Sequence, residues 1–470
     1  MKGFQRDLLL VVLAHLVSKP IWLVVDNLAQ NRIGHQEYGL IGALLGFAQW
    51  AAYLADWGLY ALVTREMARS PTAYPAVSST TFTLKALLTC IVSALFLCLG
   101  WIIGYRGKEL IWLGGLLAYH LALSYLQYFR AFFQGAQRFR IDALLSASEK
   151  AVVLLLLAGV WSVLNGNFYV GTLVVGGLCT SLGAGISVWR SYGMPRWSWE
   201  RGALWQAFHQ MTPFALMGYA GAFNERLNQL LLERWVGAYA NGLYWGAYRW
   251  FAAATMYLWI ILPLFFARFA KLGRQRSPEL WRTFLWGQVI SALPPIGVAG
   301  LFLGAPQLFL LLFTHSTPEE LASMSRMLQL LAFPLTVNAL TAIYSTYITA
   351  VGYEWIGFWL TMGAAGVNAL SCLFLLPTLQ GEGAVIALGL SYCVQAAGFV
   401  WTFYHLSPLP FPHTLILRLL FFAILYGGST YGIGRLGGPL IAIVGSGACF
   451  FLFWAWALGL FRWRVYADRH

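Results

Sequence analysis

Charged residues and cysteines are scarce in this chain. Aspartate, glutamate, lysine and arginine make up only 10% of its 470 residues, whereas they make up about a quarter of a typical soluble domain. The six cysteines all lie inside apolar runs, and they show neither a close pair that could hold a metal nor a disulfide framework. With 59% hydrophobic residues and a mean hydropathy of +0.66, this composition excludes a sizeable soluble domain and indicates an integral membrane protein.

Apolar stretches, by contrast, recur along the whole length. A helix needs about 20 apolar residues to cross a hydrocarbon core about 30 Å thick, and we expect about fourteen such spans. They are Leu8–Asn27, Gly39–Leu62, Phe82–Ile103, Leu110–Phe132, Ala143–Leu164, Val170–Trp189, Met211–Leu232, Leu243–Phe265, Phe284–Leu303, Met327–Ala350, Trp355–Leu376, Ala384–His405, Leu415–Gly434 and Leu440–Phe461. The shorter stretch Gln307–Phe313 is predicted to be a surface or re-entrant piece. Because the first run reaches spanning length, we expect a membrane span there and not a cleaved signal.

The basic residues outside the spans are distributed unevenly. If the N-terminus is cytoplasmic, the termini and the loops after even-numbered spans hold eighteen lysines and arginines, against six on the opposite side. This bias predicts that both termini are cytoplasmic. The net charge of +13 then reflects topology and contact with anionic lipids, and we expect no nucleic-acid partner. Two segments that mix tryptophan with arginine, Pro195–Gln206 and Gln275–Trp286, are predicted to be amphipathic helices on the cytoplasmic interface.

Two parts of the chain resemble each other at an offset of 203 residues. The matched pairs are Gly34 and Gly237, Gly39 and Gly242, Leu40 and Leu243, and Arg65 and Arg268. A looser match relates residues 133–137 to residues 350–354. We therefore predict an all-α fold of two parallel six-helix bundles, residues 1–195 and 196–406, followed by two additional helices in residues 407–470. Such a duplication usually places a substrate path at the interface of the bundles; the alternative is that glycines in loops match by chance.

Several charged residues lie within the predicted spans. A charge at the bilayer centre costs at least about 2.5–3.5 kcal/mol on insertion scales, so it usually faces a partner or a wet path. We predict that four basic residues line the substrate path and that three acidic residues serve in coupling or gating. The basic residues are Lys19, Arg130, Arg226 and Arg249, and the acidic residues are Asp26, Asp56 and Glu225. Arg226 and Arg249 are the preferred phosphate ligands because a guanidinium matches phosphate oxygens.

Lys19 leaves an alternative open. It precedes Pro20, which should kink the first span and leave a backbone carbonyl in need of a partner. A kink beside a charge suggests an element that moves or faces a ligand. The alternative is that Lys19 pairs with a carboxylate on a neighbouring helix and stabilises the bundle. No cofactor or metal is expected, and the carboxylates leave room for coupling to a proton or sodium gradient.

Four segments resemble a known family. They are the stretch from Gly34 to Gly39, the run Leu54-Ala55-Asp56-Trp57-Gly58-Leu59 with Arg65 and Arg69, the stretch from Gly237 to Leu243, and the stretch from Val367 to Ala384. Over roughly residues 1–406 the chain is similar to the polysaccharide transporter branch of the multidrug/oligosaccharidyl-lipid/polysaccharide exporter superfamily, which includes the O-antigen flippases.

This resemblance implies a function. It implies that the chain moves a polyprenyl-pyrophosphate-linked oligosaccharide from the cytoplasmic to the outer leaflet of the bacterial inner membrane, for cell-surface polysaccharide synthesis. It also implies that Lys19, Arg226 and Arg249 hold the pyrophosphate. The partners would be the lipid-linked oligosaccharide, membrane lipids, and polysaccharide polymerase or assembly proteins. The chain departs from the family in that Glu225 lies earlier in the seventh helix than the usual carboxylate.

Two other functions fit the sequence less well. A cation-coupled multidrug exporter of the same superfamily would need a buried carboxylate site for cationic drugs, and the nearly balanced charges within the spans are compatible with one. A membrane glycosyltransferase or acyltransferase would need clustered outer acids or a reactive histidine. The outer acids are scattered, and His15 and His120 have no evident catalytic partner in the sequence. We therefore expect a transporter and not an enzyme.

Overall fold

The computed structural model describes residues 21–69, 74–136, 138–195, 197–273 and 277–460. Within these ranges the regular secondary structure is helical, and no β-strand is present. The helices are α1 (described over 21–33), α2 (His35–Asp56), α3 (Leu59–Arg69), α4 (Tyr74–Ile103), α5 (Lys108–Gly135), α6 (Phe139–Val160), α7 (Gly166–Tyr192), α8 (Arg201–Trp235), α9 (Ala238–Leu272), α10 (Pro278–Gly304), α11 (Pro306–Leu310), α12 (Pro318–Ala350), α13 (Glu354–Leu406), α14 (His413–Leu436) and α15 (Leu440–Ala457).

The lengths and apolar character of these helices confirm the predicted all-α membrane fold. Eleven helices in the described residues are long and apolar enough to cross a membrane. The predicted count of fourteen stays a prediction. The first predicted span, Leu8–Asn27, lies mostly outside the described residues, α8 is not among the eleven, and the 53-residue α13 contains two of the predicted spans.

The second predicted span, Gly39–Leu62, is interrupted near its end. α2 ends at Asp56, and Trp57 and Gly58 adopt φ values of 42° and 79° before α3 begins. A positive φ is uncommon for a residue other than glycine. After the break, Leu59 and Val63 of α3 pack in an apolar cluster that includes Phe132 of α5. Burial of these side chains therefore accompanies a helix break inside the apolar run.

α13 also contains a break. Gln380 has φ 48° and ψ −123°, which is not helical, so two helices meet at this residue. A Cβ added to Gly383 would lie 2.4 Å from the carbonyl oxygen of Leu375, so the chain approaches itself closely here and only glycine fits. The eleventh and twelfth predicted spans lie on either side of this turn.

The two segments predicted as interfacial helices do not form separate helices in the described structure. Residues 197–200 have no regular structure, and the rest of the first segment is the beginning of the 35-residue α8. In the second segment, the Ser277 side chain accepts a hydrogen bond from the Leu280 N–H, and α10 starts at Pro278. Because this cap opens a helix that continues for 27 residues, the basic and aromatic residues that follow belong to its first turns.

The internal repeat is visible in the helix starts. Gly34 precedes α2 and Gly237 precedes α9, and both have positive φ values, 94° and 126°. The carbonyl oxygen of each glycine accepts a hydrogen bond from the residue four positions later, Tyr38 or Asn241. Glycine is required at both places because this conformation is strained for a residue with a Cβ. The sequence match at an offset of 203 thus corresponds to the same backbone conformation before the two helices.

The second part of the repeat has a different offset. α5 and α12 end 215 residues apart, and the helices that follow them, α6 and α13, begin 215 residues apart. A Cβ on Gly166 would lie 2.5 Å from Trp112, and a Cβ on Gly381 would lie 2.7 Å from Met327; each residue of the first pair is 215 positions before its counterpart. The looser sequence match aligned residues 217 apart, so the structure corrects it by two positions.

The chain divides into two compact units between Glu233 and Arg234. In unit 1, α5 packs against α2, α3 and α7; in unit 2, α12 packs against α9, α10 and α13. The two helices that follow, α14 and α15, belong to unit 2, where α14 packs on α10. The domain boundaries that we predicted after residues 195 and 406 stay a prediction.

Candidate functional site

The predicted residues of the first helix are only partly described. Lys19 and Pro20 lie outside the described residues. Asp26 lies within α1 and is buried, with 7% of the residue exposed. Its Oδ1 accepts hydrogen bonds from the hydroxyls of Tyr38 on α2 and Tyr169 on α7. Asp26 therefore connects three helices of unit 1.

Asp56 lies at the break between α2 and α3 and has a partner that sequence reasoning missed. Lys85 on α4 is completely buried, and its Nζ lies 3.3 Å from Asp56 Oδ1. Lys85 also donates hydrogen bonds to Ser124 and to the carbonyl oxygen of Ala55, and its Nζ lies 5.4 Å from the centre of the Tyr125 ring. The helix break exposes this carbonyl to a donor from another helix. Lys85 lies near the start of the predicted third span, but α4 begins eight residues before that span, so the lysine lies well inside the helix.

Arg130 is part of a buried ion pair. Its Nε donates to Asp142 Oδ1 at 2.7 Å, and the two side chains are 7% and 5% exposed. The same carboxylate oxygen accepts a hydrogen bond from Gln134, while Arg130 also donates to Gln127. The arrangement joins α5 to the start of α6. The predicted role of Arg130 in substrate binding stays a prediction, but the observed contacts are those of a structural pair.

Glu225 and Arg226 lie in the middle of α8 and are half-buried. Arg226 donates from Nε to the amide oxygen of Gln49 on α2 at 2.8 Å, and it contacts the amide oxygen of Gln229 at 3.5 Å. Tyr53, one turn further along α2, is within electrostatic range of Glu225, Arg226 and Asp56. These charges therefore share one region of unit 1.

A second group of charges extends this region. Lys150 of α6 pairs with Glu149 at 2.7 Å and lies over the ring of Trp22. Tyr119 is within electrostatic range of Lys150 and Asp26, and His120 is within range of Lys150 and Arg226. The described part of unit 1 thus brings together Asp26, Asp56, Glu225 and Arg226, along with Lys150 and Glu149, residues of four helices.

Solvent exposure separates these charges into two kinds. Lys85, Arg130 and Asp142 have side-chain exposures of 0%, 7% and 5%. Asp56 and Lys150 retain 22% and 23%. All of these side chains belong to ion pairs, but the first kind is shielded from solvent, whereas Asp56 and Lys150 remain partly exposed. We use the name "polar face" for the accessible set Tyr53, Asp56, Lys150, Glu225 and Arg226.

Arg249 is the one predicted residue that lies in unit 2. It is buried on α9, with 4% of the residue exposed. Its Nε lies 3.4 Å from the carbonyl oxygen of Trp245, and its guanidinium lies 5.8 Å from the Trp245 ring centre. Both of these contacts are within α9. Within the part of the chain that the structure describes, no cluster of three or more histidine, cysteine, aspartate or glutamate side chains is arranged to hold a metal ion.

A family model described as "polysaccharide biosynthesis protein" matches residues 4–271, more than half of the chain. The chain belongs to the polysaccharide biosynthesis protein family. No curated protein sequence matches this family member.

Solved structures show the fold of this family member. It is similar to a lipid II flippase, MurJ, in an inward closed conformation, with a TM-score of 0.73 and 10% sequence identity, over 96% of this chain and 99% of the other. It is also similar to an inward-facing multidrug resistance MATE family transporter (TM-score 0.67, 16% identity, 87% and 99% covered). A third match is a transporter of the same MOP superfamily from Pyrococcus furiosus (TM-score 0.63, 15% identity, 88% and 95% covered). At these identities the likeness shows the fold, which is that of the multidrug/oligosaccharidyl-lipid/polysaccharide (MOP) superfamily.

Proposed function

We propose that this member of the polysaccharide biosynthesis family is a flippase for a polyprenyl-pyrophosphate-linked oligosaccharide. It would carry the headgroup from the cytoplasmic to the outer leaflet of the bacterial inner membrane by alternating access, with both termini cytoplasmic. The flipped product would supply a polysaccharide polymerase or an assembly protein. The observation that supports this most is the polar face, because accessible basic side chains within helices long enough to span a membrane can lower the cost of moving an anionic headgroup.

Arg226 is the residue that we propose to contact the pyrophosphate. Its described partners include two neutral amide oxygens, from Gln49 and Gln229. A hydrogen bond from a guanidinium to a phosphate oxygen is stronger than one to a neutral amide, and a guanidinium can make two in parallel. A phosphate would therefore be a stronger partner for Arg226 than either of these amides. Lys150, accessible and paired with Glu149, would add a second positive charge.

The acidic residues suggest how binding could be reversed. Glu225 and Asp56 lie in the same region as Arg226, and Asp26 connects three helices through two tyrosines. We propose that protonation of these carboxylates, or sodium binding to them, changes the attraction for the anionic headgroup between the two stages of transport. No cofactor is needed for this cycle, and we propose no catalytic reaction.

Leaflet accessibility tests the proposal directly. The full-length protein is reconstituted in proteoliposomes with a fluorescent polyprenyl-pyrophosphate oligosaccharide, and a membrane-impermeant probe measures how fast the headgroup changes leaflet. We expect faster exchange with the protein than in protein-free vesicles. If vesicles with the protein and protein-free vesicles show the same rate of headgroup exchange for several lipid-linked saccharides, the proposed flippase function is wrong.

Substitution of Arg226 then tests the site. We expect Arg226→Ala to slow headgroup exchange by at least about tenfold, since a hydrogen bond to a charged group contributes about 1.5–3 kcal/mol, while expression and thermal unfolding stay close to wild type. Arg226→Lys keeps the positive charge but cannot make two parallel hydrogen bonds to phosphate, so it should retain part of the exchange rate. The matched control is Arg190→Gln, an exposed arginine at the end of α7, which should transport normally. Normal transport by Arg226→Ala would remove Arg226 from the proposed site.

The second candidate function is cation-coupled drug export. It is supported by the carboxylates of the polar face, which would attract a cationic compound, and by the fold that this chain shares with transporters described as multidrug resistance proteins. Efflux of a cationic dye from cells distinguishes the two functions. Dye efflux that is lost in Glu225→Gln, without any effect of the protein on lipid-linked saccharides, would favour the exporter.

A further inference from the structure

Unit 2 contains a large cavity between the end of α9 and the beginning of α10. Its volume is about 810 Å³, and its lining includes Phe265 and Arg268 from α9 and Glu279, Arg282 and Trp286 from α10. This end of the helices is the one that the distribution of basic residues places at the cytoplasmic side of the membrane. The residues that line the cavity belong to unit 2, whereas the residues of the polar face belong to unit 1.

The charges around this cavity favour an anion. Arg268 and Arg282 are both exposed and line it, and the exposed Lys271 lies on the last turn of α9. The opposing acid is Glu279, which pairs with Arg268 at 3.0 Å; the side chains are 59% and 60% exposed. An ion pair this exposed contributes at most about 1 kcal/mol, so a stronger anion can displace the carboxylate.

The backbone at the cavity wall adds to this preference. α10 begins at Pro278, and Ser277, Pro278 and Glu279 at its N-terminal end line the cavity. The positive end of the helix dipole favours a negative charge, while the Leu280 N–H of the first turn is already bound by the Ser277 side chain. Glu279 in the first turn benefits from this field now, and a phosphate in the cavity would benefit in the same way.

Large apolar side chains are exposed on the two helices that line the cavity. Trp286 is 44% exposed beside the two arginines, and on the adjacent surface of α9 Trp259, Leu264 and Phe266 are 64%, 62% and 41% exposed. Large exposed apolar side chains next to basic ones are typical of the membrane interface, where tryptophan and arginine contact headgroups and the apolar side chains contact acyl chains. A ligand with both a phosphate and hydrocarbon chains fits both parts.

We propose that this cavity binds the headgroup of an anionic phospholipid of the cytoplasmic leaflet. Arg268 and Arg282 hold the phosphodiester, Glu279 moves off Arg268, and Trp286 and Phe265 contact the glycerol and the first carbons of the acyl chains. The occupant is a membrane lipid and not free phosphate, because free phosphate has nothing to place against the exposed apolar surface of α9. The site is independent of the transported substrate, so it stands or falls separately from the flippase function.

Lipid titration of the purified full-length protein tests this site. Thermal unfolding in detergent is followed while phosphatidylglycerol, phosphatidylcholine or inorganic phosphate is added, and native mass spectrometry counts the bound lipids. We expect phosphatidylglycerol to raise the unfolding temperature saturably and to be retained in the gas phase, whereas phosphatidylcholine and phosphate have much less effect. An equal effect of phosphate would show an anion site without lipid preference, and an equal effect of phosphatidylcholine would show nonspecific solvation; either result overturns the proposal.

Two sets of variants locate the binding. Arg268→Gln/Arg282→Gln should weaken phosphatidylglycerol binding by about thirtyfold, because each of the two basic residues near an anionic lipid contributes about 1 kcal/mol. The matched control, Arg190→Gln/Arg201→Gln, removes two exposed arginines from unit 1 and should bind as wild type. Equal losses in both variants would show diffuse attraction and contradict the site. Should the first variant fail to fold, Glu279→Gln decides: removal of the competing acid should strengthen binding several-fold, and no change would count against the proposal.

Discussion

Lys85 shows how much a single buried charge depends on its surroundings. It is completely buried, and its ammonium contacts Asp56, Ser124 and the carbonyl oxygen of Ala55. Removing one partner of a buried pair usually costs about 3–5 kcal/mol, because the remaining charge is left without compensation. Asp56 differs from Lys85 in that 22% of its side chain is still exposed. The two halves of this pair are therefore not equivalent.

We predict an asymmetric response to substitution at this pair. Asp56→Leu should lower stability strongly, since it leaves Lys85 buried without a carboxylate, whereas Lys85→Met should lower it less because Asp56 keeps some contact with water. Asp56→Leu/Lys85→Met should be more stable than Asp56→Leu alone. Thermal unfolding of the detergent-purified variants measures all three.

The exposed pair of Lys108 and Glu37 is the control. These side chains are 53% and 41% exposed at a distance of 2.7 Å, so replacing Lys108 alone should cost no more than about 1 kcal/mol; Glu37 stays in place because it also accepts a hydrogen bond from the Gly166 N–H. If both single substitutions at Lys85 and Asp56 destabilise equally and their effects simply add in the double variant, the two residues are not coupled as the structure indicates.

At this scale the sequence predicted which residues carry charge in the spans but not how they pair. Asp26 and Asp56 each have a polar partner, Arg226 contacts two glutamines, and Glu225 is half-buried beside it, as expected because charges in apolar runs must face polar groups or water. Arg130 could not be assigned from the sequence, since its partner Asp142 lies just before the predicted fifth span. Lys85 was missed because the start of α4 was placed at Phe82 and not at Tyr74.

Helix starts in the two units depend on glycines in the same backbone conformation. Gly34 and Gly237 have φ values of 94° and 126°, and a Cβ added at either position would meet nothing within 4 Å. The space is open, so only the backbone conformation opposes a side chain. A residue other than glycine held in such a conformation typically costs about 1–3 kcal/mol.

We predict that Gly34→Ala and Gly237→Ala each lower the unfolding temperature. The control is Gly218→Ala on α8, where a Cβ also meets nothing within 4 Å but the backbone has no positive φ. Because alanine favours a helix over glycine by about 1 kcal/mol, this control should unfold at the same temperature as wild type or above it. A drop of equal size in all three variants would mean that the positive φ is not the cause.

The existence of the helices was predictable, but their breaks were not. Hydrophobicity at spanning length identifies a helix, since the bilayer allows little else. The interruption at Trp57 depends on packing of α3 against α5, which is a long-range interaction. The start of α10 at Pro278, by contrast, follows a local rule: serine and then proline often stand at a helix N-terminus. The prediction of a separate interfacial helix did not take this rule into account.

On the scale of the whole molecule, the structure confirms an all-α chain with a repeated arrangement of helices. The orientation in the membrane rests on the distribution of lysine and arginine and stays a prediction. It can be tested because the connections between helices offer positions for labelling, such as Gly107 before α5 and Gly437 after α14.

We predict a specific pattern of thiol labelling in intact cells. In a variant without native cysteines, Arg106→Cys and Gly438→Cys, next to these two glycines, should react with a membrane-impermeant maleimide from outside; the glycines themselves have positive φ values, so a cysteine there would be strained. Trp199→Cys and Ser407→Cys, in connections that the positive-inside rule places in the cytoplasm, should react only after the membrane is permeabilised. The opposite pattern would invert the topology and move the lipid cavity of unit 2 to the outer leaflet.

The change in repeat offset from 203 to 215 residues has an evolutionary consequence. α4 is joined to α5 by residues 104–107, whereas α10 is joined to α12 by residues 305–317, which include α11. After an ancestral duplication, one copy thus kept a minimal connection while the other gained or retained a longer one at the equivalent place. Such insertions are tolerated where they leave the packed helices undisturbed. New contacts specific to one lineage of these proteins would arise most readily in this segment, since it diverged while the helices on both sides kept their common pattern.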